Sequence, residues 1–579
     1  MRVPTTRSLE VMPEALSRSW SARLGLALLV LLCWLPVIGA AWAVGGGTGS
    51  EHAGWRGGLG FVLTLFGKPQ VQEMWIVSQR AVVSTGIAFV LGLLVTGAVA
   101  RLRGAMRHGV TILALLPLLI PDALRAFAWS RLLADDSPVL GALFSRLGGS
   151  PRFGEWALIG SLAASVVPLM VATLVAVLRH GDDSSWLAAA ETCPNKFVFF
   201  RRLVVQSTLP AWPIALLAGF VFAANASAEE MYLGGAQHST SIQKVASALV
   251  NLDPGYLGAF GICLLGCAVL LTLIAVATVL YLQTIRTPEP TPRNDSSIGC
   301  TRRKSRLRIK IDQGASVLSR MASGLLSATQ WICLVTVLVV LWLPFILCIV
   351  FAFGVGIGRD GATLAFVASA VKSSTIRLAV FNSMVVAITT ACVTTCLAVM
   401  ASRLSFLRSG AWWLALVSLP VFWPADVQAL SLQQILTRMG AGGGGLLPVI
   451  VCHVAWLLPF SVATVSLAYR AIPVTLLRAG VELGCGGFRF FRVILVPLAR
   501  GGAYASLALS GLLSLTELRR GWQLGGSEPL LSVKVFGGLQ AGMVGEGPQL
   551  FAVAAGVVLF AGFTAGILML KLLQRQRQD

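Results

Sequence analysis

Long apolar runs, separated by short polar or basic segments, recur along the whole 579-residue chain. Eighteen or more apolar residues in a helix suffice to cross a bilayer core of about 30 Å. The pattern predicts membrane spans near 24–44, 81–100, 109–129, 156–178, 212–228 and 258–283 in the first half. In the second half it predicts spans near 329–354, 377–401, 411–430, 446–469, 501–517 and 548–572. The third, fifth, ninth and eleventh runs contain charges or prolines and depart most from a plain apolar helix. The expected fold is all-α, a polytopic membrane protein of about twelve transmembrane helices.

Composition supports this. The chain is 56% hydrophobic and 12% charged, with a mean hydropathy of +0.80, whereas an ordinary soluble protein is about 25% charged. In a soluble chain the net charge of +21 would suggest nucleic acid. Here the basic residues sit mainly in short segments beside apolar runs, where they fix topology and attract anionic membrane lipids, so no nucleic-acid partner is expected. Eleven cysteines lie mostly in apolar runs, where Cys behaves as a small hydrophobe. Cys263 and Cys267, like Cys392 and Cys396, share a helix face, but no CxxC occurs. Neither a metal site nor a disulfide framework is expected.

Charge placement orients the bundle. The loops holding Arg101, Arg103 and Arg107, and Arg403 and Arg408, should be cytoplasmic, as should the tail with Lys571, Arg575 and Arg577. Six spans per half then leave both termini and the middle of the chain inside. The run Leu24–Val44 follows Arg7, Arg18 and Arg23 and contains Ala41-Trp42-Ala43. It is longer than the h-region of a secretory signal and is expected to be a retained first span. A polar connector starts at Thr284, with Pro288, Pro290 and Pro292 followed by the basic run Arg302 to Arg308. It divides the chain into a six-helix half at 1–283, a basic cytoplasmic linker at 284–328 and a second six-helix half at 329–579.

The two halves share a pattern. Phe197-x-Phe199-Phe200-Arg201 returns as Phe488-x-Phe490-Phe491-Arg492, 291 residues on, and Leu233-Gly234-Gly235 returns as Leu524-Gly525-Gly526 at the same offset. Leu116-Pro117-x3-Pro121 returns as Leu419-Pro420-x3-Pro424, offset by 303. Their common order points to a tandem duplication of a six-helix unit. The loop after the tenth span, Arg478-Ala479-Gly480-Val481-Glu482-Leu483-Gly484 through Ile494-Leu495-Val496-Pro497, reads as two short helices about a glycine turn. Three aromatics within four positions suit either a hydrophobic partner surface or a helix lying in the membrane interface.

This loop resembles the E-A-A-x3-G-x9-I-x-L-P signature of permease subunits of binding-protein-dependent ABC importers. Ala479, Gly484, Ile494 and Pro497 match it, with Val496 at the Leu position, while Arg478 replaces the Glu and Gly480 the second Ala. In the first half Ala188 and Ala189 match, and Leu187, Cys193 and Gln206 replace Glu, Gly and Pro. Leu124-Arg125-Ala126-Phe127-Ala128-Trp129, with Leu132-Leu133, Leu143 and Leu147-Gly148, is similar to the third-span region of polyamine-type permeases. Two halves on one chain resemble the fused iron(III)- or thiamine-type arrangement.

The resemblance implies two tandem six-helix type I ABC permease repeats in a bacterial cytoplasmic (inner) membrane. It also implies two copies of an ABC ATPase subunit and a periplasmic solute-binding protein as partners. The coupling residues would be Ala188, Ala189, Cys193, Phe197, Phe199 and Phe200 in one loop. Those of the other would be Ala479, Gly480, Gly484, Phe488, Phe490, Phe491, Ile494 and Pro497. No G-x4-G-K-[ST] phosphate loop occurs, since Gly67-Lys68 is followed by Pro69. The chain is therefore expected to be a transport component rather than an enzyme, binding no cofactor, with ATP and Mg²⁺ on its partner.

An ionisable residue in mid-membrane costs about 2.5–3.5 kcal/mol on insertion scales and calls for a reason. Asp122, Arg125, Asn225, Glu229, Glu230, Asp426 and Glu517 are candidates to line the substrate path. The alternative is local pairing, since Asp122 and Arg125 are three apart, or a place among the outer headgroups. The carboxylates suit a cation such as iron(III), thiamine or a polyamine, and Arg519 and Arg520 argue the other way. His453, inside the tenth span, reads as a packing residue. The rival function is a major-facilitator-like secondary transporter, which has no need of a repeated aromatic loop after each fourth helix. A membrane-embedded enzyme would show an acidic or histidine cluster at one membrane face, and none is seen in the sequence. A structural or scaffolding role is a further alternative.

Overall fold

The computed structural model describes residues 69–134, 154–178, 200–234, 306–353, 365–407, 425–472 and 487–540, apart from 103, 116, 118–119, 225, 441–443 and 471, plus isolated positions at 476, 479–480, 482 and 556. Among these residues the protein is helical, with no strand. In chain order the helices are α1 (Pro69–Val99), α2 (Gly104–Leu115), α3 (Asp122–Leu132), α4 (Glu155–Leu178), α5 (Trp212–Ala224), α6 (Ser227–Leu233) and α7 (Arg306–Ala352). They continue as α8 (Ala365–Lys372), α9 (Ser374–Leu407), α10 (Ala425–Arg438), α11 (Leu446–Arg470), α12 (Arg500–Thr516), α13 (Arg519–Leu524) and α14 (Leu531–Gln540). The expected spans at 24–44 and 258–283 lie outside the described residues, as does 548–572 except for position 556.

Five described helices are long and apolar enough to cross a membrane, within α1, α4, α7, α9 and α11. A sixth crossing results if Phe491–Leu498 and α12 form one span bent by 63°. The expected third span is broken into α2 and α3 at a segment carrying Pro117 and Pro121, because proline removes a backbone donor and crowds the preceding turn. The expected fifth span is likewise split into α5 and α6. Helix α7 starts at Arg306, inside the stretch expected to be linker, and its 47 residues reach about 70 Å. Only 324–344 has the character of a membrane segment.

Packing is organised around two three-helix groups. In the first, Arg80 near the start of α1 forms a two-pronged ion pair with Glu155 at the start of α4, at 2.6 and 2.7 Å. Ser84 Oγ donates to the Ile159 carbonyl, and Leu93 meets Leu174 near the far ends. The two helices therefore run parallel, so the chain between them returns to the starting face. α5 lies antiparallel against both, with Trp212 edge-on to Phe89 at 5.1 Å and Gly219 against Met170, Val166 and Thr85.

The second group is α9, α11 and α12. Here Ser506, Ser510 and Ser514, spaced four apart along one stripe of α12, bond to Thr395 of α9 (3.1 Å), Ser461 of α11 (2.7 Å) and His453 Nδ1 of α11 (2.8 Å). The positions 291 residues earlier are Ala215, Gly219 and Ala223, which form the corresponding stripe of α5. Lipid tails are as apolar as leucine, so membrane helices gain little from hydrophobicity and associate by close packing and interhelical hydrogen bonds. Small residues serve the first purpose on α5, and serines serve both on α12.

Elements of the two halves interleave. α7 packs on α1 through Cys333, Leu334 and Val337, Trp342 donates to the Leu113 carbonyl at 3.0 Å, and Arg101 donates to Ser327 Oγ at 2.8 Å. Phe127 of α3, Tyr232 of α6, Phe536 of α14 and Trp522 of α13 form a continuous aromatic chain with centroid separations of 5.9, 6.4 and 4.9 Å.

A Cβ on Gly92 would stand 2.7 Å from Met170 Cβ, whereas one on Gly86 of the same helix meets nothing within 4 Å. Gly92→Val should force α1 from α4 and cost about 1–3 kcal/mol, read as a lower unfolding temperature in detergent. Gly86→Val should leave that temperature unchanged.

Candidate functional site

Two helices break inside the bundle at matching places. α5 ends at Ala224 and α6 begins at Ser227, while α12 ends at Thr516, Glu517 takes an extended conformation (φ −68°, ψ 127°) and α13 begins at Arg519. Each short helix carries a buried charge just past the break: Glu229 in one, Arg520 in the other.

Glu229 is fully buried, and its Oε1 accepts from Arg125 Nη2 at 2.8 Å, Arg125 Nε at 3.2 Å and Ser165 Oγ at 3.0 Å. Arg125 also holds Asp122 at 2.7 Å and stands over the Phe222 ring at 5.9 Å. Glu229 Oε2 has no hydrogen-bond partner among the described residues. The local pairing of Asp122 with Arg125 is thus real, and it is part of a larger group that also spans α3, α4 and α6.

In the other half Arg520 donates through Nε and Nη2 to Gln428 Oε1 of α10, at 3.0 and 2.9 Å, and pairs with Glu517 at 3.0 Å. Its guanidinium stacks on Trp456 of α11 at 4.2 Å. Gln428 lies 303 residues after Arg125, and Arg520 and Trp456 lie 291 after Glu229 and Ser165. Those offsets are the ones carried by the sequence motifs. Arginine–glutamate–serine in one half therefore stands opposite glutamine–arginine–tryptophan in the other, with the cation moved from α3 to α13. Sequence reading passed over Ser165, Gln428 and Trp456, although applying the two offsets to Arg125 and Glu229 would have located Gln428 and Arg520 as a pair.

Between these groups lies a small, open-mouthed cleft. It is lined by Asp122, Phe222 and Ala226 of the first half and by Trp456, Phe460, Glu517, Arg519 and Arg520 of the second. Asp122 and Glu517 thus reach the cavity, while Arg125 and Glu229 sit behind Asp122. Glu230 is buried on α6, Asp426 falls within α10, and Asn225 lies outside the described residues. His453 does pack, bonding Ser514, and its Nε2 has no partner among the described residues. No group of three or more possible metal ligands occurs among the described residues.

The expected coupling segments are also built alike where they are described. Phe200–Val205 and Phe491–Leu495 are both π-helical turns, 291 residues apart. Such wider turns leave the i→i−4 ladder and recur at functional sites. Phe490, Phe491 and Leu495 are buried against Leu458, Val462, Tyr469 and Ile472. Phe490 and Phe491 therefore find their hydrophobic partner within the chain itself. What faces outward is Ala479, Glu482, Arg489, Arg492, Val493, Pro497 and Leu498. A Cβ on Gly480 would collide with Ile494 Cδ1 and stand 3.1 Å from Phe490 Cε2, so the glycine lets the two arms of this loop touch. Ala188, Ala189, Cys193, Phe197, Phe199 and Gly484 lie outside the described residues, and Phe488 is described only as part of the helix Gly487–Phe490.

Among the described residues, these features are those of a helical membrane protein with a charged cleft beside paired broken helices. No family model matches the chain. Over 132 residues it is 30% identical to the "Spermidine/putrescine transport system permease protein PotC" of Escherichia coli (strain K12), and equally to those of Escherichia coli O157:H7 and Shigella flexneri. That stretch is 23% of this chain, and the chain spans about half (48%) of the length of these relatives. The likeness supports an ABC-permease-like relationship and a transport component.

Removing Arg125 leaves Glu229 charged and unpaired in the bundle. Arg125→Gln should cost about 3–5 kcal/mol of stability, followed by denaturant unfolding in detergent. Adding Glu229→Arg recreates the Gln428–Arg520 chemistry and should recover at least half of the loss.

Proposed function

We propose that this chain is the permease of an ABC importer, with both halves of the solute path on one polypeptide. The observation that carries the reading is the matched construction at a constant offset. Each half has a π-helical turn, then a helix bearing a small-residue stripe, then a break whose short helix holds a buried charge beside one cavity. The similarity to a permease of a spermidine/putrescine transport system supports the same reading. On this view two tandem six-helix repeats make up the chain, with further spans in the parts of the sequence that are not described.

The loops around 187–206 and 478–497 dock on two copies of a separate ATPase subunit, which holds ATP and Mg²⁺, and a periplasmic binding protein delivers the solute. The membrane is the bacterial cytoplasmic one, with both termini inside as the basic loops require. ATP-driven closure of the two ATPases moves the coupling turns and rocks the halves about the cavity, exposing it to alternate faces. The solute is small and charged. A cation of the iron(III), thiamine or polyamine class follows from the carboxylates as a set, but Glu229 and Glu517 already hold Arg125 and Arg520.

The outward residues Val493 and Pro497, with Gly484 of the signature, provide the test. Co-expressed with its ATPase, the chain should co-purify with it in detergent and stimulate ATP hydrolysis. Val493→Asp, Pro497→Ala and Gly484→Asp should each reduce co-purification by about tenfold or more, equal to about 1.4 kcal/mol, without lowering the unfolding temperature of Val493→Asp. Solute movement driven by an ion gradient with no ATPase bound would make the chain a secondary transporter instead.

A further inference from the structure

The π-helical turns, the cleft and the chain of aromatic rings lie in that order along the bundle. Phe200 of the first turn packs in one cluster with Leu93 and Leu174, toward the ends of α1 and α4. Phe491 of the second packs with Tyr469 and Ile472, at the end of α11. Beyond the breaks, Leu233 at the end of α6 packs with Leu158 and Leu162, near the start of α4. Leu524 at the end of α13 packs in the same way with Val449 and Cys452, near the start of α11. The short helices thus carry the chain past the cleft to the end of the bundle remote from the π-helical turns. There the rings of Phe127, Tyr232, Phe536 and Trp522 meet. Leu518 is buried, lines the cleft and belongs to the same cluster as Phe127, Tyr232 and Phe536. The rings therefore begin where the cleft ends.

On each side of this ring contact, polar bonds tie the elements together. Arg125 of α3 holds Glu229 of α6 at 2.8 Å. Asn382 of α9 donates to Glu528 Oε2 at 3.2 Å and to the Pro529 carbonyl at 3.1 Å, just before α14. Ser383 Oγ accepts from the Leu531 N–H at 2.8 Å. Where the two sides meet, Tyr232 and Phe536 stand edge to face at 6.4 Å, and Ala123 and Leu124 of α3 pack with Leu531 and Val535 of α14. Ring and methyl contacts part without leaving a donor or acceptor unmet, so this seam separates more readily than the bonded elements beside it. The Tyr232 hydroxyl adds to the contrast. It is buried with no hydrogen-bond partner among the described residues, a cost that the closed rings carry and that water relieves once they part.

We propose that these four rings are a gate that closes the cleft on the face away from the π-helical turns, and that it opens by parting Tyr232 from Phe536. The direction in which the gate faces rests on the permease reading, which puts the coupling turns in the cytoplasm and the rings toward the periplasm. Each side moves as a bonded unit, and the rings re-form the seal when the sides return.

Thr516 lines the cleft, and Thr516→Cys makes it a reporter. Spheroplasts expressing the full-length chain are treated from outside with a membrane-impermeant maleimide, and labelling is measured above that of the chain without the added cysteine. With the rings intact, Thr516→Cys should stay nearly unlabelled. Adding Phe536→Ala or Tyr232→Ala should speed labelling about tenfold or more, as the open population rises. Phe89→Ala removes a ring that packs on Trp212 at 5.1 Å, toward the π-helical turn, and should leave labelling unchanged. Tyr232→Phe keeps the ring and drops the unmet hydroxyl, so it should leave labelling at the closed level and raise the unfolding temperature in detergent. Rapid labelling with all four rings intact, no change on ring truncation, or an equal rise with Phe89→Ala or Tyr232→Phe overturns the gate. Should the alanine variants fail to fold, Trp522→Leu trims the exposed end of the chain of rings and carries the same expectation. Labelling needs no ATPase, so loss of co-purification with the ATPase marks a failed permease reading and leaves the gate to be judged on its own result.

Discussion

Inside a membrane a chain cannot leave backbone groups or charges to water, and the breaks at the ends of α5 and α12 exist only because the bundle satisfies them. The second break shows how this is done. The Glu517 carbonyl accepts from Ser532 Oγ at 2.8 Å, and the carboxylate of Glu517 accepts from the Arg520 backbone N–H at 3.3 Å. Further along, Leu531 N–H donates to Ser383 Oγ at 2.8 Å, and Gly445 N–H to the Leu524 carbonyl at 2.8 Å. That last contact requires Gly526 at φ +59° with its Cα against Gly444, a backbone approach that side chains would block. Interrupted helices at membrane depth persist where they are buried in protein or face a cavity, and here they do both.

The same helices tie the cavity to the aromatic loops. Past the 63° bend that follows the π-helical turn at Phe491–Leu495, α12 runs to Glu517 as a rod of about 26 Å. α5 leads in the same way from Phe200–Val205 to the break before Ser227. Their stripes of small residues hold them close to α9 and α11, or to α1 and α4. The burial of Phe490 and Phe491 against α9 and α11 fastens the loop to the same group.

Opposite charges at equivalent positions explain how one chain keeps a like construction while its halves differ. A buried glutamate needs a cation, and Arg125 supplies it from α3. A buried arginine needs acceptors, and Gln428, Glu517 and the Trp456 face supply them. Either solution closes its local charge to nearly neutral, so the fold tolerates both. The difference remains visible only where the two groups face the common cavity.

By itself the sequence determined the membrane class, the helical content and the offsets that pair one half with the other, because hydropathy and repeated motifs are local or periodic properties of the chain. It also marked Asp122, Arg125, Glu229 and Glu517, since charge in an apolar run is conspicuous. It could not say that Arg125 neutralises Glu229 104 residues away, that the loop aromatics turn inward, or that a helix would run on from Arg306. Those facts depend on which helix faces meet, and pairing across the bundle is set by close packing and by the need to satisfy every buried charge. Only the tertiary structure brings Asp122 and Arg519 to the lining of one cleft.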